Sequence, residues 1–318
     1  MHINRGLLFW GVALITAGAV ALAASQGLID TGILAGTWRL WPLILIAIGL
    51  SIALSRTSFA WIGTLAAALV VGVAGGVLIS VGPTFAACSG DTSTSRSSSG
   101  SFSGPGATVQ LELSCGSLDI AMADGSDWHA DARVDGDHLP VVDGSPNLLS
   151  MRSGERDIPF DTGRQDWTLQ LGRDVTYDFS ATLNAAESAL DLGAGQFGSL
   201  HLTGNAGSTR LVLEGAHVAD FDAQLNAGSL DVEAGATTDL QGRVDANAGS
   251  VNLCAPAGLG LQITILSSVA FSHNLDDSGL DQSGDTFASP DFASAPHTLV
   301  LTVHGNAASF TLNPEEGC

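Results

Sequence analysis

Asn184, Asn205, Asn226 and Asn247 stand 21 residues apart, and each is followed by alanine (Ala185, Ala206, Ala227, Ala248). Gly207-Ser208, Gly228-Ser229 and Gly249-Ser250 complete three of the four copies. The flanking columns agree. Phe179, Leu200, Phe221 and Gly242 lie five residues before each Asn. Ala181, Leu202, Ala223 and Val244 lie three before, and Leu183, Gly204, Leu225 and Ala246 one before. Beyond the turn come Leu190, Leu211, Val232 and Leu253, then Leu192, Leu213, Ala234 and Ala255. Polar residues such as Ser180, His201, Asp222 and Arg243 sit between the apolar ones. Alternation with period two on both sides of a four-residue turn marks two short strands per unit. Matching columns at a fixed period describe stacked rungs, each burying its apolar row against the next. The L-x-x-L-x-L-x-x-N order of leucine-rich repeats is absent, so the expected fold is a β-solenoid. Glycine at the turn supplies backbone angles that other residues resist. The Asn column reads as a ladder of stacked side-chain amides, in preference to a row that binds a cation or a sugar.

Degraded copies extend the pattern. Val109, Leu111 and Leu113 lead into Ser114-Cys115-Gly116-Ser117, then Leu118 and Ile120. Ile263 and Ile265 precede Ser268, which is in register with the Asn column. Leu301 and Val303 precede Asn306-Ala307-Ala308-Ser309, then Phe310 and Leu312. About seven rungs of ~21 residues result. They place the solenoid over 107–318, with non-repeating insertions near 121–173 and 272–297. Open solenoid ends are exposed strand edges, so the first insertion, with Trp128 and Trp167, is expected to cover one of them.

Ahead of the repeat the chain changes solvent. Residues 1–87 carry three Arg and one Asp, a net of +2; residues 88–318 carry eight Arg and 31 acids, a net of −23. Three apolar stretches predict transmembrane helices near 7–24, 38–55 and 59–81, followed by another solvent-exposed part. Trp38 and Trp41 suit the headgroup level, and Pro42 suits a first helical turn. Further apolar segments after the first argue against a cleaved signal peptide. Gly72 and Gly76 permit close helix packing. Arg5 and Arg56 against Arg39 place the N-terminus inside, so the acidic domain is expected outside the cytoplasm of a multi-pass cell-membrane protein. Cys88, Cys115, Cys254 and Cys318 all fall on that side, and they fit either two disulfides of unassigned pairing or buried thiols. Between the two parts, 14 of the 18 residues from Ser89 to Gly106 are Ser, Thr or Gly, which predicts a flexible linker over 88–106.

Trp38-Arg39-Leu40-Trp41-Pro42 and the apolar run to Gly49 resemble the LiaI/LiaF-like transmembrane region of bacterial envelope-stress proteins. The segment from Trp167 through the Gly-Ser repeats is similar to the LiaF C-terminal, or toast-rack, β-domain, a type also labelled "putative adhesin". The stretch from Pro296 to Leu312 shares that likeness. The resemblance implies a bacterial membrane protein that senses or modulates cell-envelope stress. LiaF-like proteins are usually drawn with four spans, where three are counted here.

Gly193-Ala194-Gly195-Gln196-Phe197-Gly198 matches G-x-G-x-x-G, but a dinucleotide site needs a helix after it, and Leu200-His201-Leu202 is a strand of the repeat. There is no C-x-x-C, H-x-x-x-H or H-E-x-x-H spacing for a transition metal. His129 and His138 among Asp127, Asp131, Asp135 and Asp137 form an Asp/His patch near 127–138 that fits a divalent ion or simply turn-forming aspartates. No G-x-S-x-G elbow accompanies the histidines. The negative domain lacks the clustered cations that nucleic-acid binding requires.

The sequence therefore predicts no catalytic, cofactor-binding or metal residues, and a non-enzymatic envelope protein that acts through protein binding. Its expected partners are the lipid bilayer and a membrane two-component sensor or another envelope protein. The alternative is a surface adhesin or scaffold that presents the solenoid. A carbohydrate-active enzyme is the least favoured reading, because acidic polysaccharides want cations at the site and this domain has few.

Overall fold

A computed structural model describes residues 92–135, 139–154, 163–267 and 270–314, together with Val12, Ile15 and Thr16. The chain divides into two compact units, Met1–Ala87 and Cys88–Cys318. In the first, Val12, Ile15 and Thr16 are helical, and the Thr16 hydroxyl donates to the Val12 carbonyl at 2.8 Å. Among the described residues no helix is long and apolar enough to cross a membrane. The remainder of the stretch near 7–24, and those near 38–55 and 59–81, lie outside the described residues, as do Cys88, Asp137, His138, Ser268 and Cys318.

The second unit is all β. Its first strands are β1 (Thr94–Ser101), β2 (Gly106–Ala123), β3 (Asp127–Val134), β4 (Val141–Ser145), β5 (Leu148–Arg152), β6 (Gln165–Gly172), β7 (Thr176–Asp191), β8 (Gln196–Gly204) and β9 (Gly207–Leu213). There follow β10 (His217–Leu225), β11 (Ser229–Ala234), β12 (Asp239–Cys254), β13 (Gly260–Ser267), β14 (Ser272–His273), β15 (Asp281–Ser283), β16 (Thr286–Ala288) and β17 (Thr298–Leu312).

The repeat becomes parallel rungs of two limbs each. The first limb of β7 pairs in parallel with β8, β8 with β10, and β10 with β12. The second limbs follow the same order through β9, β11 and the end of β12. Register matches the sequence columns: Phe179 lies beside Leu200, Leu200 beside Phe221, and Phe221 beside Gly242. In the second limb Leu190, Leu211, Val232 and Leu253 form one line. These apolar residues point inward and are buried, and both limbs contribute to one core. Burying each such side chain contributes roughly 1.5–3 kcal/mol, so the stacked columns are the main source of stability. Around Tyr177 the core is aromatic, with Phe102 at 5.8 Å and Phe197 at 5.9 Å between ring centres.

The corner between limbs is where most rungs place a glycine. Gly207, Gly228 and Gly249 have φ of 125°, 117° and 126°, which L-residues rarely adopt. A Cβ on Gly228 would stand 1.8 Å from the Gly207 carbonyl oxygen, and one on Gly249 would stand 1.9 Å from that of Gly228. Gly116 repeats the arrangement, 1.8 Å from the Gln165 oxygen. At these glycines the neighbouring rung stands too close for a side chain, whereas Ala186 and Ala308 fill the same column beside Gly207 and Gly249.

Two features depart from a simple sequential stack. First, β17 lies between β12 and β13, pairing in parallel with both. The excursion through β14, β15 and β16 gives the chain the length a parallel return requires, and it brings Asn306 onto the rung of Asn247 instead of beyond position 268. Second, residues 94–101 of the expected linker form β1, antiparallel to β3 over eight positions. Their Ser/Gly composition matches that of a linker, but β3 offers an otherwise open edge. Within the first insertion β3 continues onto β6, and β6 onto the second limb of β2, while β4 pairs with β5 and β5 with the first limb of β2.

Candidate functional site

The Asn column forms a continuous ladder. Asn205 Nδ2 donates to Asn184 Oδ1 at 2.6 Å, Asn226 to Asn205 at 2.6 Å, and Asn247 to Asn226 at 2.9 Å. Asn306 donates to Asn247 at 2.8 Å, so the inserted strand prolongs the ladder. Each interior amide spends its oxygen on one neighbour and its nitrogen on the other. That is an inter-rung brace, and it leaves these groups committed to one another. The outward columns behave alike. Asn252 donates to Asp231 at 2.6 Å, Arg210 forms a two-pronged pair with Glu233 at 2.6 and 3.0 Å, and Arg243 pairs with Asp222. Arg210 and Arg243 are the two arginines after residue 173, against eighteen acids, a net of −16 over 174–318. The acidity of this region is therefore largely uncompensated.

A cleft of about 510 Å³ opens beside the ladder where β12, β17 and β13 meet. Register sets Asp245 beside His304 and His304 beside Leu266; Asp285 and Asn306 complete the polar lining. Leu266 is an apolar outward residue, 44% exposed. Two carboxylates, an imidazole and an amide around an aliphatic side chain can meet a cationic or hydroxyl-rich group. Asp245 already has the Arg243 guanidinium 3.7 Å away.

The described part of the Asp/His patch lies on β3 beneath β1. The imidazole of His129 is 3.0 Å from Asp131, and the hydroxyls of Ser97 and Ser101 donate to Asp131 and Asp127. The Ser97 bond, helped by His129 and Arg133, holds the Asp131 carboxyl below its ordinary value despite slight burial. Among the described residues no group of three or more His, Cys, Asp or Glu is placed to hold a metal ion. The G-x-G-x-x-G segment is the turn from β7 into β8, with Ala194 at φ 57°, and it leads to a strand, as expected.

One cluster is not legible in the sequence. Asp239 Oδ2 is 3.0 Å from His297 Nδ1 and 3.8 Å from His217 Nδ1, and Oδ1 accepts the Thr298 N–H at 3.1 Å. Burial pushes the Asp239 carboxyl up, but the His297 hydrogen bond, the Thr298 N–H and the two imidazoles outweigh it and hold it below the usual range. The three residues begin successive stacked rungs, and β17 brings His297 in from 58 residues away. Cys115 and Cys254 are both disulfide-bonded, which decides between the disulfide and thiol readings for these two.

A parallel, all-β stack of rungs carried behind an apolar N-terminal region defines the class of protein. Residues 105–238 match the family described as the N-terminal domain of toast_rack, DUF2154. Residues 8–53 match the LiaI-LiaF-like transmembrane region. The chain thus carries a match to a LiaI-LiaF-like transmembrane region followed by a match to a toast-rack domain. No curated protein matches it. Among solved structures it is similar to a "putative cell adhesion protein" from Clostridium sporogenes ATCC 15579, with 10% identity, TM-score 0.47, and 69% of this chain and 99% of that one covered. A "putative adhesin" from Bacteroides fragilis NCTC 9343 is similar at 9% identity and TM-score 0.27, covering 69% and 97%.

Proposed function

We propose that this chain is a non-enzymatic, membrane-anchored envelope protein that senses or modulates envelope stress by binding another protein. A membrane two-component sensor or a further envelope protein is the expected partner. The observation that carries the reading is the joining of a LiaI-LiaF-like region to a toast-rack solenoid. The solenoid's repeated polar groups are spent on bracing rungs, as in the Asn ladder. What such a body offers a partner is a rigid, strongly acidic surface. Disulfide-bonded Cys115 and Cys254 support an extracytoplasmic solenoid, since disulfides persist in oxidising compartments. Its charge sets the solenoid against anionic headgroups, within a Debye length of about 8 Å at physiological salt.

The test is affinity capture of the full chain from membranes challenged with a wall-active antibiotic. Recovery of a sensor kinase or envelope protein is expected, and recovery of neither would refute the reading. Placement is checked separately by labelling Ser208→Cys in intact cells with an impermeant thiol reagent. Labelling only after lysis would put the solenoid in the cytoplasm.

A further inference from the structure

The edge strands of the solenoid are not equally guarded. Natural sheets blunt their edges with short strands, prolines, bulges or charges. At the far end β15 is three residues long and begins with Asp281. At the near end β4 is five residues long, contains Asp143, and is flanked by Pro140 and Pro146. Beside it, β1 has one of these devices alone, the single charge of Arg96. It runs eight residues, Thr-Ser-Arg-Ser-Ser-Ser-Gly-Ser, without proline or acid, and its register with β3 is unbroken. Phe102 N–H donates to the Ser126 carbonyl just past its end. In an antiparallel pair the bonded positions alternate, so Thr94, Arg96, Ser98 and Gly100 turn their backbone groups to β3. Ser95, Ser97, Ser99 and Ser101 turn theirs away, and among the described residues no strand pairs with that side.

We infer that β1 is a self-association edge, which pairs antiparallel with β1 of a second copy about a two-fold axis. Charge selects this occupant. A domain of net −23 repels its own copies almost everywhere, whereas β1 carries a single charge, that of Arg96. The β3 aspartates behind it are held by β1 serines, Ser97 to Asp131 and Ser101 to Asp127. Across two further strand spacings of about 4.8 Å each, the partner's β3 is roughly 14 Å away, beyond the Debye length. Apart from Arg96, side chains on β1 are small and would lie flat against an identical strand. The strand also starts six residues after the Cys88 boundary, so membrane anchoring brings the two edges together at raised effective concentration.

Overlap is greatest when the axis passes through Ser98. Ser95 then bonds Ser101 of the other copy, Ser97 bonds Ser99, and the two Ser98 residues face each other as a non-bonded pair with Cβ atoms about 4.5–5.5 Å apart. The two Ser101 residues are about 20 Å apart in this register.

The experiment is oxidative cross-linking of the full chain in phosphatidylglycerol/phosphatidylethanolamine vesicles. Ser98→Cys is expected to give a disulfide-linked dimer, and Ser101→Cys to give at least tenfold less. Adding Ser99→Pro or Ser99→Lys to Ser98→Cys should lower the yield at least tenfold, because each blocks the outer edge while sparing the bonds to β3. Hydrogen exchange on the unsubstituted chain is the second measure. The amides of Ser95, Ser97 and Ser99 should be protected in crowded vesicles and lose protection on dilution with lipid. Absence of a Ser98→Cys dimer, equal yield from Ser101→Cys, a dimer indifferent to both Ser99 variants, or unprotected β1 amides would each overturn the inference.

Discussion

Replacing Gly228 with alanine tests whether the corner is built by close stacking or only by backbone angle. Gly228 sits in the middle of the stack at φ 117°, and its new Cβ would lie 1.8 Å from the Gly207 oxygen. The positive φ alone costs about 1–2 kcal/mol for an L-residue. Relief of the clash needs a further separation of roughly 1.5 Å between rungs that normally stand about 4.8 Å apart. Such a shift loosens at least two inter-rung hydrogen bonds, worth about 0.5–1.5 kcal/mol each. The expected total is about 2–5 kcal/mol. Gly258 separates the two effects, because its φ is also positive, at 93°, yet nothing lies within 4 Å of its Cβ position. Gly258→Ala should therefore cost only the backbone share, about 1–2 kcal/mol. The assay is thermal unfolding of the full chain in detergent, followed by the loss of β-sheet circular dichroism. At roughly 2–4 °C per kcal/mol for a domain of this size, Gly228→Ala should lower the midpoint by about 4–20 °C and Gly258→Ala by about 2–8 °C. Equal shifts for the two variants would refute the close-stacking account.

The ladder should be strongest in its interior. Asn226→Ala removes two amide bonds and should cost about 1–3 kcal/mol, while Asn184→Ala removes one and should cost about half as much; equal costs in the same melt would argue against the ladder. The Asp239 carboxyl is depressed in the folded state, so its contribution is present above the unfolded carboxylate value of about 4 and is lost as pH falls through the lower folded value. Asp239→Asn should flatten the acid side of the melting-temperature profile below about pH 4, and an unchanged profile would count against this linkage.

How much of the fold is legible in the sequence depends on which interactions leave a periodic trace. Phe179, Leu200 and Phe221 announce their column because each rung needs an apolar residue at the same place. Asn184 to Asn247 announce the ladder for the same reason. The position of β17 leaves no such trace: Asn306-Ala307-Ala308-Ser309 matches the corner motif, but a motif identifies a rung without saying which rungs are its neighbours. The strand character of β1 is equally hidden. A Ser/Gly run has no hydrophobic period, and only the partner edge on β3 makes it a strand. The His217–Asp239–His297 cluster also depends on stacking order. The 21-residue period would set His217 beside Thr238; a register shift between Val218 and Phe221 sets it beside Asp239 instead, and His297 joins them only because β17 is inserted beside β12.

That insertion has a consequence for assembly of the chain during its synthesis. The rungs from β7 to β12 can settle one on another as they emerge, each finding its neighbour already in place. β13 is made before the strand that separates it from β12, so for a time it has no permanent seat. The solenoid must hold two strand edges apart, or let them meet wrongly and part again, until β17 arrives to occupy the gap. A truncation before Thr298 would thus leave a fissure inside the stack, with the thirteen β12 positions that face β17 exposed together. The seam, and not either end, is where a half-made chain is most open to capture by chaperones or by other chains.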